Sequence, residues 1–201
     1  MRKVLLLSAT FLSLLAVSCD KSTTEPDNNG NNNGNGNNTN AATYTANFSF
    51  NGSNVSLGYN KNFAQLVSSS SDMVGGFATN SVNGIVLNPA LEVTFVFQSS
   101  VTEADFMALK GQTIRQNNTS GTRVMVNYTP DADNTWYDND AADNTYAVQI
   151  SDITYSHSVT TIFNNVDVYR VKGTGRAQVE KDGQSKAIEN INFDMLMSRV
   201  K

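Results

Sequence analysis

Cysteine is nearly absent: Cys19 stands alone among 201 residues. No disulfide can form within one chain, so any folded domain must rest on its hydrophobic core. Histidine is as scarce, with His157 alone, which excludes a multi-histidine metal centre. A Ser-His-Asp constellation would have to use that imidazole. Its surroundings, Tyr155-Ser156-His157-Ser158, mark no nucleophile, so His157 reads as a strand or loop residue. The chain has no Walker loop, no Gly-x-Ser-x-Gly elbow and no zincin pair. Ser198-Arg199-Val200-Lys201 matches Ser-x-x-Lys without its companion motifs. Nor is there an apolar run of the roughly 20 residues that a transmembrane helix needs.

The longest apolar run, Val4 to Val17, follows Arg2 and Lys3 and ends in small residues, the layout of a secretory signal. Its end, Leu15-Ala16-Val17-Ser18-Cys19, resembles the lipobox of bacterial lipoproteins, with Ala16 where that family most often has Leu. The resemblance implies a thioether lipid on Cys19, cleavage before it and acylation of the new amino terminus. A single acyl chain holds a protein only marginally, whereas two or more anchor it stably. Asp20, Glu25 and Asp27 are similar to the acidic surface-export signal of Bacteroidota lipoproteins. They are scattered around Lys21, which leaves the periplasmic face and the cell surface both open. The expected address is thus the cell envelope, at the outer membrane, anchored through lipid.

Residues 28–40 are nine Asn, three Gly and one Thr. Nothing there can bury apolar surface and offset the entropy of ordering, so residues 19–43 read as a flexible tether. From Asp20 to Thr43 the chain would reach about 80 Å extended and about 27 Å root-mean-square as a coil. Removal of 1–18 leaves 183 residues at net charge −6. An acidic chain is a poor nucleic-acid binder, because phosphate contacts need clustered Lys and Arg. The modest basic excess of Arg170 to Lys201 reads as a solvated face.

Residues 44–201 alternate apolar and polar side chains, the signature of half-buried strands. Tyr44, Ala46, Phe48 and Phe50 share one face and end at Asn51-Gly52. Leu91, Val93, Phe95 and Phe97 make the strongest strand, and Val124, Val126 and Tyr128 another. Tyr146, Val148 and Ile150 lead to Ile153 and Tyr155 out of phase, which predicts a bulge at Ser151-Asp152. Val166 and Val168 belong to a further strand. Ala177, Val179 and Lys181 reach Asp182-Gly183, which suits a two-residue type I′ turn, and Ile191, Phe193, Met195 and Met197 form the last strand. Gly173 and Gly175 mark a bulge or a close backbone approach. Thr102-Glu103-Ala104-Asp105 reads as a capping box opening one short helix, with Phe106 and Leu109 on one face and Gly111 at its end. The expected fold is an all-β antiparallel sandwich with one short helix; the alternative is a small lipocalin-like barrel. The segments Tyr169 to Gly175, Asp182-Gly183 and Ile188 to Phe193 are similar to the C-terminal part of small Bacteroidota lipoprotein domains. That resemblance supports the architecture and implies no catalytic residue.

One polar cluster stands out. Asp131, Asp133, Asp138, Asp140 and Asp143 surround Trp136-Tyr137. Crowded oxygen ligands suit Ca²⁺, and Asp131 and Asp133 match the first two ligands of an EF-hand loop. The match then fails, with Trp136 where Gly is needed and Ala142 where the bidentate Glu belongs; a solvated loop rich in turn formers is the competing reading. The Trp136-Tyr137 pair could stack on a sugar ring, or Trp136 could fold back over the sheet edge. Three functions follow as expectations. The first is a non-enzymatic envelope domain that binds a glycan, another ligand or an envelope protein. The second is a purely structural component. The third is a glycan-active enzyme using two of Glu92, Asp167 and Asp194, which would have to face each other across about 5–10 Å.

Overall fold

The computed structural model describes residues 44–59, 70–80, 89–160 and 164–201. Cys19, the signal and the tether lie outside the described residues. Within the described part, alternation becomes strand after strand. These are β1 (Tyr44–Phe50), β2 (Ser53–Tyr59), β3 (Met73–Thr79), β4 (Ala90–Val96), β5 (Thr113–Arg115), β6 (Arg123–Thr129), β7 (Tyr137–Asp138), β8 (Ala147–Thr160), β9 (Asn165–Lys181) and β10 (Gln184–Val200), with helix α1 (Glu103–Met107) after β4. Ala46, Phe48 and Phe50 point inward from β1, and Val124, Val126 and Tyr128 from β6, as the period of two requires.

The strands form one antiparallel sheet. The expected all-β antiparallel fold is present, and of its two forms the sheet takes the alternative, nearly closed into a barrel. Two long strands make this possible. β9 and β10, 17 residues each, pair along their length around the Asp182-Gly183 turn. Asp182 (φ 51°) and Gly183 (φ 74°) both take the left-handed backbone of a type I′ turn, as do Asn51 (φ 52°) and Gly52 (φ 76°) between β1 and β2. The free edge of β10 takes β1 over Ile188 to Asp194 and then β3 at Ser198 and Arg199. The free edge of β9 takes β8 up to Arg176 and then β7 at Val179 and Glu180. Each long strand therefore changes neighbour part-way, which bends the sheet. A bulge between Ile188 and Ile191, with Asn190 at φ 56°, marks the bend in β10.

The predicted bulge lies where expected, between Ile150 and Asp152. Gly173 and Gly175 mark a close approach. A Cβ on Gly175 would stand 2.2 Å from the Ala147 carbonyl oxygen, and one on Gly173 would meet the Phe193 ring at 2.6 Å. Residues 165–181, read from sequence as two separate pieces, are one continuous strand. Both arms of the capping box are made: Thr102 Oγ1 accepts from the Asp105 N–H, and the Asp105 carboxylate accepts from the Thr102 N–H at 3.0 Å. Helix α1 ends at Met107, one turn short of Gly111.

The core fills the barrel. Phe106 meets Tyr169 edge-on at 5.1 Å and Phe95 at a tilt at 6.3 Å, so the helix plugs the cavity at that level. Leu91, Ile150, Phe193 and Met195 are fully buried beside them. Each such side chain contributes about 1.5–3 kcal/mol on burial, the only large stabilising term open to a chain without disulfides. Val168 and Leu196 point to the other face of β9 and β10, against Tyr44 and Val159.

Candidate functional site

The loop region 130–146 closes the barrel, and this decides the fate of its polar residues. The Tyr128 and Trp136 backbones exchange two hydrogen bonds, at 2.9 and 2.7 Å, which adds the Trp136 segment to β6. At the very next residue, Tyr137, β7 joins β9. The seam between β6 and β9 is thus bridged by a very short strand, too short to satisfy the flanking backbone groups. Side chains supply the rest. The Asp138 carboxylate accepts from the Val126 N–H at 3.1 Å, Arg123 Nη1 at 3.0 Å and Gln116 Nε2 at 2.5 Å. Gln116 is fully buried and acts as a substitute peptide group: its Oε1 accepts from the Gln178 N–H at 2.6 Å and its Nε2 donates to the Gln178 carbonyl at 3.0 Å. Asn127 Oδ1 accepts from the Asp138 N–H at 2.8 Å. Burial pushes the Asp138 carboxyl up from its ordinary value, and the bonds from Gln116, Val126 and Arg123 pull it back. In the sequence Asp138 stands out only as one of five loop aspartates, and nothing marks Gln116 or Arg123. No local pattern marks a glutamine that pairs with backbone 62 residues away.

The other acidic residues disperse. Asp143 accepts from the Thr145 N–H at 2.7 Å and hydroxyl at 2.5 Å, and these bonds lower its pKa. Asp131 accepts from Asn134 Nδ2 at 3.3 Å, and the Asp133 carbonyl accepts from Lys181 at 3.5 Å. Asp140 and Tyr137 are exposed and line a shallow hollow with Glu180, Lys181 and Asp182. Among the described residues, no three His, Cys, Asp or Glu side chains are grouped so as to hold a metal ion. The geometry does not bring the five aspartates together around one point.

Trp136 folds inward, 7% exposed, its ring edge-on to Phe50 at 5.4 Å. Lys186 Nζ lies over the indole at 4.3 Å and over the Phe50 ring at 5.6 Å. Both neighbours restrict the ring faces on which a sugar would stack. Phe50 and Phe48 each meet Tyr128 edge-on at 5.0 Å. Above this aromatic floor lies a depression of about 340 Å³, bounded by Asn51, Ser53 and Val55 of the β1–β2 hairpin and by Pro130 and Asn134 of the loop. Lys181 Nζ bonds Asn134 Oδ1 and so ties the loop to the β9–β10 hairpin. Tyr128, whose hydroxyl burial and the Asp131 charge push up from its ordinary pKa, stays a neutral phenol.

The carboxylates proposed for catalysis are engaged elsewhere. Asp194 takes a two-pronged bond from Arg170, at 2.7 and 2.6 Å. Asp167 is buried and binds Arg199 at 2.8 Å, Lys201 at 3.0 Å and Ser158 at 2.6 Å. Their register positions on β9, opposite Arg199 and at Lys172, are five residues and about 17 Å apart. Glu92 accepts from Asn127 at 2.8 Å. His157 is exposed on β8, its Nδ1 sharing a hydrogen bond with Ser156 Oγ at 2.9 Å. Comparison of the chain with family models, curated proteins and solved structures returns no match.

Proposed function

We propose that this chain is an envelope lipoprotein whose barrel domain binds a ligand without transforming it. Lipid on Cys19 holds it at the membrane, and the Asn/Gly-rich tether lets it search its surroundings. The observation that supports binding is the depression over Phe50, Tyr128 and Trp136. It joins an apolar floor to a few polar groups, the make-up of small-molecule sites. The purely structural reading has no such feature behind it. A glycan-cleaving reading would need a facing carboxylate pair, and Asp167 and Asp194 each serve a cation instead.

The test is a glycan array probed with the full-length chain, its Ser53→Trp variant and its His157→Ala variant. Ser53 borders the depression at the start of β2, so a tryptophan there fills it. His157 is exposed on β8 and does not line it. We expect binding that His157→Ala keeps and Ser53→Trp abolishes. An array that captures nothing, or binding that survives Ser53→Trp, overturns the proposal.

A further inference from the structure

We infer that the ligand of this depression is an acidic sugar, a short saccharide bearing a uronic-acid carboxylate. The inference rests on the binding reading above and deepens it. Lys186 carries it. The residue is half-buried, its ammonium lies over two aromatic rings, and it makes no ion pair with any described residue. Aromatic faces partly compensate a cation yet supply no hydrogen-bond acceptor, so its N–H donors remain available to an anion. Such a point charge holds a carboxylate by a charge-assisted hydrogen bond.

The rest of the depression selects the body of the ligand. Val55, Pro130 and the Phe50 edge offer apolar surface to the C–H face of a sugar ring, while Ser53 and the Asn51 amide at the rim suit hydroxyl groups. The volume, about 340 Å³, lies at the small end of ligand sites and fits a short fragment rather than a long polymer held along its length. Asp131, whose charge reaches the Tyr128 hydroxyl, repels an anion from the loop side and favours the Lys186 side.

Trp136 is the only tryptophan, so its emission reports this depression alone. The experiment titrates the full-length chain in detergent with a galacturonate disaccharide and, separately, with the neutral galactose disaccharide. The acidic sugar is expected to saturate the Trp136 signal and to bind about tenfold or more tightly than the neutral one, with the preference fading as salt is raised. Lys186→Met is expected to bring the acidic sugar down to the affinity of the neutral one, and Lys186→Arg to retain the preference. Circular dichroism of both variants checks the fold. Equal binding of the two sugars, or an acid preference that survives Lys186→Met, overturns the acidic-sugar inference and leaves the binding reading intact. Silence of Trp136 with both sugars also overturns the inference, while the binding reading is decided by the array.

Discussion

Two buried carboxylates show how neighbours decide what an aspartate does. Asp138 and Asp167 both lie within the barrel wall and both face an arginine, yet their acidities move in opposite directions. At Asp138 burial outweighs the bonds it accepts, and the carboxyl rises. At Asp167 desolvation also acts upward, but Ser158, Lys201 and Arg199 together outweigh it and hold the carboxyl below its ordinary value. The consequence for stability has a definite sign. A carboxyl lowered by folding stabilises the fold while ionised and loses that contribution as pH falls below about 4, the unfolded value, through the folded one. Asp138 acts in reverse, since its raised value favours the protonated fold and its contribution declines as pH rises above that same unfolded value. Asp167→Asn is therefore expected to lower stability at neutral pH and to flatten its decline in acid. Urea midpoints measured from neutral pH down to about pH 3 check this, and an unchanged acid slope would count against the Asp167 cluster. Little of this was legible in the sequence. Asp138 stood in a run of similar residues, and nothing local separates the one that closes a seam from those that stay in water.

At the scale of elements, legibility followed burial on one face. β1, β6 and the first part of the last strand showed themselves because one side faces the core and the other does not, and β4 by its alternate core residues Leu91, Val93 and Phe95, although Thr94 is buried as well. The type I′ turn at Asp182-Gly183 and the helix cap were equally plain, since their partners are at most three residues away, whereas Asn51-Gly52 showed only as the end of a strand. β3, with its Gly75-Gly76 pair, and the two-residue β7 carry no periodic signal. The close approach at Gly175 was named from sequence, but its partner was not. The strand β8 passes so near that any Cβ would collide with backbone rather than with a movable side chain. Gly175→Ala is accordingly expected to destabilise the barrel by about 1–3 kcal/mol or more. Gly58→Ala, whose Cβ would meet only Asn80 Oδ1 at 3.7 Å, serves as the near-neutral comparison. Thermal melts of the two variants side by side measure the difference, and equal melting temperatures would contradict the contact.

For the whole molecule, the expected anchor and the barrel make complementary demands. If Cys19 is consumed by lipid, no covalent staple remains for the domain, and the aromatic core together with the seam network must hold it. Lipidation predicts a mature chain that begins at Cys19 and carries acyl mass, and a Cys19→Ser variant that leaves the membrane pellet for the soluble fraction. Mass spectrometry of the N-terminus and membrane fractionation read both outcomes; an unmodified N-terminus, or pelleting unaffected by the substitution, would sink the anchor. The sequence by itself determined that the domain is all-β, where its main strands alternate, where its last hairpin turns and how its helix begins. Each of these rests on spacing within one segment, where sterics and burial act on neighbouring residues. Only the tertiary structure decided that one sheet curls nearly shut instead of two sheets stacking. It also decided that Trp136 and Asp138 belong to the seam, and that Lys186 meets Phe50 and Trp136. The reason is that β9 and β10 change partners along their length. Such a change is set by the competition of distant strands for the same edge, and it leaves no periodic trace in the residues that undergo it.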